Sequence, residues 1–295
     1  MATDSVSELR SVIQTTANVA EETRARHMLE PHPRSEAAAE LVEEESFALG
    51  SDKRPVLDCY TGAFLRLTVA GDELRSVQRL MNDPLPVFGP AALLRTVLEV
   101  SARAWWAFEP DIGVRRRVIR GYVDRITSLI ESSRIRVGEA TGEAEEIQTT
   151  SMERLAEVID GAEAHGFAVR LTKRGALMSV ADEPAPRHAK LIRQQLGGAG
   201  EASYRVLSGL AHGVLFAVVW RTKPVEGGKF EGGELRTPVP EFTDLLLDVA
   251  TALSSYRDAV DRQLRLFGWD RTEWEACRVE VNRVMKRLFH GAVHI

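Results

Sequence analysis

Tyr204, Arg205, Ser208 and His212 follow one another at one-, three- and four-residue intervals in EASYRVLSGLAHG (201–213). On a helix turning about 100° per residue, Glu201, Arg205, Ser208 and His212 fall within roughly 60° of one another. Tyr204 lies at the edge of this row, and Val206, Leu207, Leu210 and Val214 lie opposite. An apolar face for a core and an ordered polar row for something else is the amphipathic pattern. The row has the residue types for phosphate chemistry. Histidine exchanges a proton near neutral pH, and arginine holds a phosphate and stabilises charge developing on it. Ser208 and Tyr204 could position a phosphate or a sugar hydroxyl. The same spacing also suits a solvated or internally satisfied polar face, and that reading stays open. Gly209 and Gly213 each cost a helix about 1 kcal/mol relative to alanine, which makes sense if something approaches closely there.

A second set lies in AALLRTVLEVSARAWWAF (91–108), a segment apolar almost all the way round and so expected at the centre of a bundle. It carries Arg95, Glu99 and Arg103 at four-residue spacing. Charges on a buried helix are costly unless paired, so an Arg95–Glu99–Arg103 ladder is expected. If that helix packs on the polar row, Glu99 could orient His212 and Arg95 could extend a phosphate site. Trp105 and Trp106 are expected in the core or an interface.

The elements that must position these residues read as mainly α, a helical bundle with a short β-hairpin near 167–180. Helices are expected over 55–81, 91–108, 114–133, 149–164, 201–219, 241–266 and 271–289. NDPLPVFGP (82–90), with three prolines and a glycine, is a break, and Pro90 suits the start of the next helix. VGEATGEAEE (137–146) reads as a linker and GGAG (197–200) as a joint. FAVRL and ALMSV flank TKRG as strands flank a turn, although an irregular loop fits equally well. Four glycines and three prolines make 223–240 a long surface loop. Three stretches result: an acidic N-terminal arm (1–50) of two marginal helices or a partly mobile segment, the bundle (51–220), and a loop with a closing helical pair packed on it (221–295). RRRVIRGYVDR (115–125) is the most basic stretch and reads as an exposed helix balanced by acidic neighbours.

The net charge of −5 and pI near 5.9 do not imply a broadly basic nucleic-acid surface, though a local basic patch is compatible with them. Two cysteines, Cys59 and Cys277, form no metal-like spacing and fit a reducing cytoplasm. His290 and His294 are too isolated for a metal site. No signal sequence is evident, and no run approaches the roughly 18 apolar residues of a membrane span, so no membrane contact is expected. There is no GxGxxG, Walker loop, GxSxG or HExxH, so nucleotide-driven, α/β-hydrolase and zincin chemistries are unsupported.

Arg205 followed by six residues and His212 matches the R-x4–6-H motif of HEPN domains. LLRTVLE (93–99) ahead of YRVLSGLAHG (204–213) also resembles a group of bacterial HEPN-like proteins with an Arg/Glu helix before a Tyr-x3-Ser-x3-His-Gly helix. The resemblance covers roughly 55–220. It implies a dimeric helical bundle and a metal-independent ribonuclease of the kind common in toxin–antitoxin and phage-defence systems. Arg205 and His212 would then be catalytic in a site shared by two protomers, with Tyr204, Ser208, Glu201, Arg95 and Glu99 supporting them or binding substrate. It further implies no cofactor, RNA as substrate, and a protein partner such as an antitoxin. HEPN relatives also include inactive binding modules, so the alternative is a non-catalytic module that binds a protein or a small anionic ligand.

Overall fold

The computed structural model describes residues 2–48, 54–82, 85–134, 142–230, 233–239 and 241–293. Helices α1 (Ala2–His27) and α2 (Glu36–Glu43) and a 3-10 turn (Glu44–Phe47) lead to α3 (Pro55–Leu80), α4 (Gly89–Ala107), α5 (Gly113–Ser132) and α6 (Gly142–Ala164). A small sheet follows, made of β1 (Val169–Leu171), β2 (Leu177–Val180) and β3 (Glu183–Pro184). Then come α7 (His188–Ala211) and α8 (Leu215–Trp220), the pair β4 (Thr222–Phe230) and β5 (Gly233–Pro238), and finally α9 (Phe242–Phe267) and α10 (Thr272–Val293). Among the described residues no helix is long and apolar enough to cross a membrane.

The nearly all-apolar α4 is the centre, packed against α3, α7 and α9. Leu94, Val97, Leu98 and Ala102 are fully buried there. Apolar side chains removed from water at about 25 cal/mol per Å2 are what holds such a bundle together. Pro90 sits in the first turn of α4, where its missing N–H costs nothing. The N-terminal α1 buries Leu9 and Ile13 and packs on α3 and α10, and Arg24 donates to the Tyr256 hydroxyl at 3.1 Å. The acidic run Glu43–Glu45 is not wholly solvated. Glu44 is buried and accepts from the backbone N–H groups of Val56 and Leu57 at 3.0 and 3.1 Å, capping the open end of α3.

The hairpin near 167–180 is present and gains a third strand in the antiparallel order β1–β2–β3. Its turn is closed by Thr172, whose Oγ1 accepts from Ala176 N at 3.0 Å, and by Gly175 in the left-handed region. The expected loop at 223–240 is instead the β4–β5 ribbon, with Lys223 opposite Thr237 and Lys229 opposite Glu234. Prolines do not prevent this, because both strands of a two-stranded ribbon are edges and an outward N–H needs no partner. Residues 137–141 of the expected linker and His294 lie outside the described residues, and 142–146 of that linker already belong to α6.

The basic stretch on α5 is a correction to the exposed-helix reading. Arg117 and Arg120 are buried. Arg117 pairs with Glu40 at 2.8 Å and donates to the Glu109 carbonyl, and its guanidinium lies 5.4 Å from the Tyr60 ring centre. Arg120 pairs with Glu183 and Glu109. Glu183 also accepts from the Trp106 indole at 3.0 Å, which holds the sheet against α4 and α5. These arginines are internal fasteners between elements distant in sequence. Both cysteines are buried and unpaired, and burial pushes the Cys59 thiol up to about 12.

Candidate functional site

α7 is one helix from His188 to Ala211 with a single non-helical residue, Gly197 (φ 74°), so the expected joint is a kink. It ends earlier than its pattern suggests. His212 is the C-cap, Gly213 takes a left-handed φ of 64°, and Val214 N–H bonds to the Gly209 carbonyl at 2.8 Å while Gly213 N–H bonds to Leu210. That is the Schellman closure, which requires a left-handed residue after the cap. The chain then turns back as α8. A Cβ on Gly209 would stand 2.8 Å from the Ala217 Cβ and 3.2 Å from the Phe216 ring. The two glycines therefore serve the sharp α7–α8 reversal. Val214, expected on the core face, is exposed because the helix has already ended.

The reversal leaves His212 exposed at the end of α7. Nη1 of Arg95 lies 2.7 Å from His212 Nε2. A guanidinium can only donate, so in this arrangement Nε2 accepts and the ring's proton is on Nδ1. Arg95 is held from behind by Glu99, Nε to Oε1 at 2.8 Å. The same carboxylate oxygen accepts from the Tyr204 hydroxyl at 2.8 Å and lies 3.5 Å from Nδ1 of His188. Burial opposes the charge on Glu99, but hydrogen bonds from His188 and Tyr204, with the charges of His188 and Arg95, outweigh it and hold the carboxyl at about 2. Burial and the Glu99 carboxylate together push the Tyr204 phenol up. Burial also opposes the charge on Arg95, and the Glu99 carboxylate overcomes it.

Of the expected site residues, the structure joins His212, Arg95, Glu99 and Tyr204. Glu99 reaches Tyr204 and Arg95 rather than His212, so it orients the imidazole only through Arg95. Arg205 is not part of this cluster. Its side chain is 67% exposed and bonds Glu201 at 2.7 Å, one turn back on the same helix. Glu201 is also 3.7 Å from Arg193. Along the helix Arg205 and His212 stand two turns, about 10 Å, apart. Ser208 is half-buried and contributes its carbonyl, which accepts from the His212 N–H at 3.2 Å. The expected ladder stops at Glu99, because Arg103 turns to Asp124 on α5, where Arg66 also pairs.

His188 is the member the sequence pattern did not bring into the site. It lies sixteen residues before Tyr204, across the kink at Gly197, so no single helical phase connects the two. Trp106 is buried, and Trp105 is half-buried with the Arg262 guanidinium 3.5 Å from its ring centre. His290 Nδ1 sits 2.7 Å from the Lys286 carbonyl on its own helix. Among the described residues no group of three His, Cys, Asp or Glu side chains is placed to hold a metal ion.

Beyond His212, α8 exposes a row of large apolar side chains, with Leu215 75% and Trp220 67% accessible and Phe216 edge-on to Trp220. Single exposed apolar residues are ordinary, whereas a contiguous group beside a polar cluster marks an interaction surface.

No protein-family model matches the chain, and neither a curated protein nor a solved structure does.

Proposed function

We propose that the chain is a HEPN-like, metal-independent endoribonuclease that works as a homodimer. The observation that supports this best is the Arg95–His212 contact, an imidazole and a guanidinium side by side at an exposed helix end, braced by Glu99. A phosphodiester entering there would draw the Arg95 guanidinium onto its oxygens and free Nε2 of His212. Nε2 would take the proton of the ribose 2′-hydroxyl as O2′ bonds to phosphorus. The bond from phosphorus to O5′ breaks, O5′ takes a proton from solvent water, His212 returns its own to solvent, and a 2′,3′-cyclic phosphate remains. Arg95 would stabilise the charge on the phosphorane. Arg205, two turns away and exposed, suits an adjacent phosphate of the same strand or the site of a second copy. The apolar row on α8 beside His212 supports a second copy docking there, which would bring two such clusters close together. A toxin-like or phage-defence role, and a protein antitoxin, rest on the resemblance to HEPN proteins alone.

A second reading is favoured by the completeness of the internal pairing. Arg95, Glu99, Tyr204, His188 and His212 satisfy one another, as do Arg205 and Glu201. A non-catalytic module that binds a protein or a small anionic ligand would need nothing more. Both Arg205 and His212 are nonetheless reachable from solvent, which keeps substrate access open.

Incubating a mixed RNA pool with the protein in EDTA separates the two readings. Cleavage that persists in EDTA and vanishes in His212→Ala and Arg95→Ala supports the nuclease. Intact RNA with folded wild-type dimer moves the weight to the binding module.

A further inference from the structure

A cleft of about 1110 Å3 opens between the end of α4, α5, the β1–β3 sheet and the start of α7, apart from the His212 cluster. Its volume is just above the roughly 300–1,000 Å3 that small-molecule sites usually occupy. Trp105, Pro186 and Leu177 give it an apolar wall. Trp106, Arg120 and Glu183 make a fixed floor, because all three are buried and mutually bonded.

Among the described residues the charges at its rim do not balance. Glu183 is taken up by Arg116 and Arg120, Glu109 by Arg120, and Glu131 by Arg134. Arg187, the N-cap of α7, and Lys190, in its first turn, line the same cleft and make no ion pair with any described residue. Among the described residues these two cations are uncompensated, and they share the cleft with its apolar wall. This juxtaposition suits a molecule with one anionic end and one flat apolar end.

We propose that this cleft binds a small organic anion, its carboxylate or phosphate held by Arg187 and Lys190 and its apolar body against Trp105 and Pro186. The proposal does not rest on the nuclease reading. Anilinonaphthalene sulfonate, which has this architecture and fluoresces when shielded from water, is a direct probe. Its titration would be compared across wild type, the double variant Arg187→Glu/Lys190→Glu, the cleft-filling variant Ala185→Trp, and Leu215→Ser/Trp220→Ser on α8, each checked for an unchanged helical circular dichroism spectrum. The expected result is binding weakened about tenfold by the charge reversals, lost in Ala185→Trp, and unchanged by the α8 changes. Displacement of the dye by phenyl phosphate but not by phenol supports the anionic class. Affinity indifferent to the charge reversals and to Ala185→Trp, or lost on altering α8, overturns the proposal, as does equal displacement by phenol.

Discussion

Arg95 Nη1 rests 2.7 Å from His212 Nε2, so the guanidinium nearest the histidine comes from α4, not from the motif arginine on its own helix. In the nuclease reading this makes Arg95 the stronger determinant of turnover. Arg95→Ala and His212→Ala are each expected to lower RNA cleavage by about 100-fold or more, the usual size of a lost acid–base or charge-stabilising group. Arg205→Ala is expected to raise KM more than it lowers kcat. Arg205→Ala removing kcat while Arg95→Ala leaves it intact would return the role to the motif arginine.

Glu99 sets an acid limit on the cluster. Its folded-state value of about 2 lies below its ordinary 4.5, so its contribution to stability is complete above that ordinary value. The contribution is lost as pH falls toward 2. The size follows from about 1.4 kcal/mol per unit, on the order of 3 kcal/mol or less given partial exposure. Denaturant unfolding of wild type and Glu99→Gln should differ most above pH 4.5 and converge toward pH 2. A gap that does not change with pH would show that Glu99 acts through packing alone.

The buried Glu40–Arg117 pair should be costly to break and cheap to replace. Glu40→Ala leaves Arg117 charged and buried with only the more distant Glu36 carboxylate at 3.7 Å, and should cost about 3–5 kcal/mol. Replacing both with methionine should cost much less, because it removes the unpaired charge. Urea midpoints of the single and double variants measure this directly, and a double-variant loss equal to the sum of the single losses would show that the pair is not coupled.

The α7–α8 reversal predicts opposite sensitivities at two nearby glycines. Gly209→Ala drives a methyl into Ala217 and Phe216 and should cost about 1–3 kcal/mol. At Gly213 there is open space but a left-handed backbone, so Gly213→Asn should be tolerated, whereas Gly213→Val should cost about 1–2 kcal/mol. Thermal unfolding of the three variants would rank them, and a harmless Gly209→Ala would contradict the close approach of α8.

Self-association through α8 is testable by sedimentation. Leu215→Ser/Trp220→Ser should shift a wild-type dimer to monomer at micromolar concentration and leave the helical spectrum unchanged. In the nuclease reading, cleavage should fall in parallel. A dimer that survives both changes would place the contact elsewhere.

The mainly helical fold was legible in the sequence because apolar periodicity, prolines and glycines act locally. The helices at 55–81, 91–108, 114–133 and the closing pair were placed to within a few residues, and the short hairpin near 167–180 was visible from its turn. Arg95, Glu99, Tyr204 and His212 were legible as chemistry-bearing residues because each sits on a helix at regular spacing. What each one touches was decided by tertiary packing. Arg205 and His212 share a face yet stand two turns apart, and only the docking of α4 on α7 brings Arg95 to the imidazole. His188 enters through a kink that breaks helical phase. Arg117 and Arg120 of α5 are buried because carboxylates from α2 and β3 reach them across long sequence distances. Periodicity reports which way a side chain faces along its own element, whereas its partner depends on which elements the core brings together.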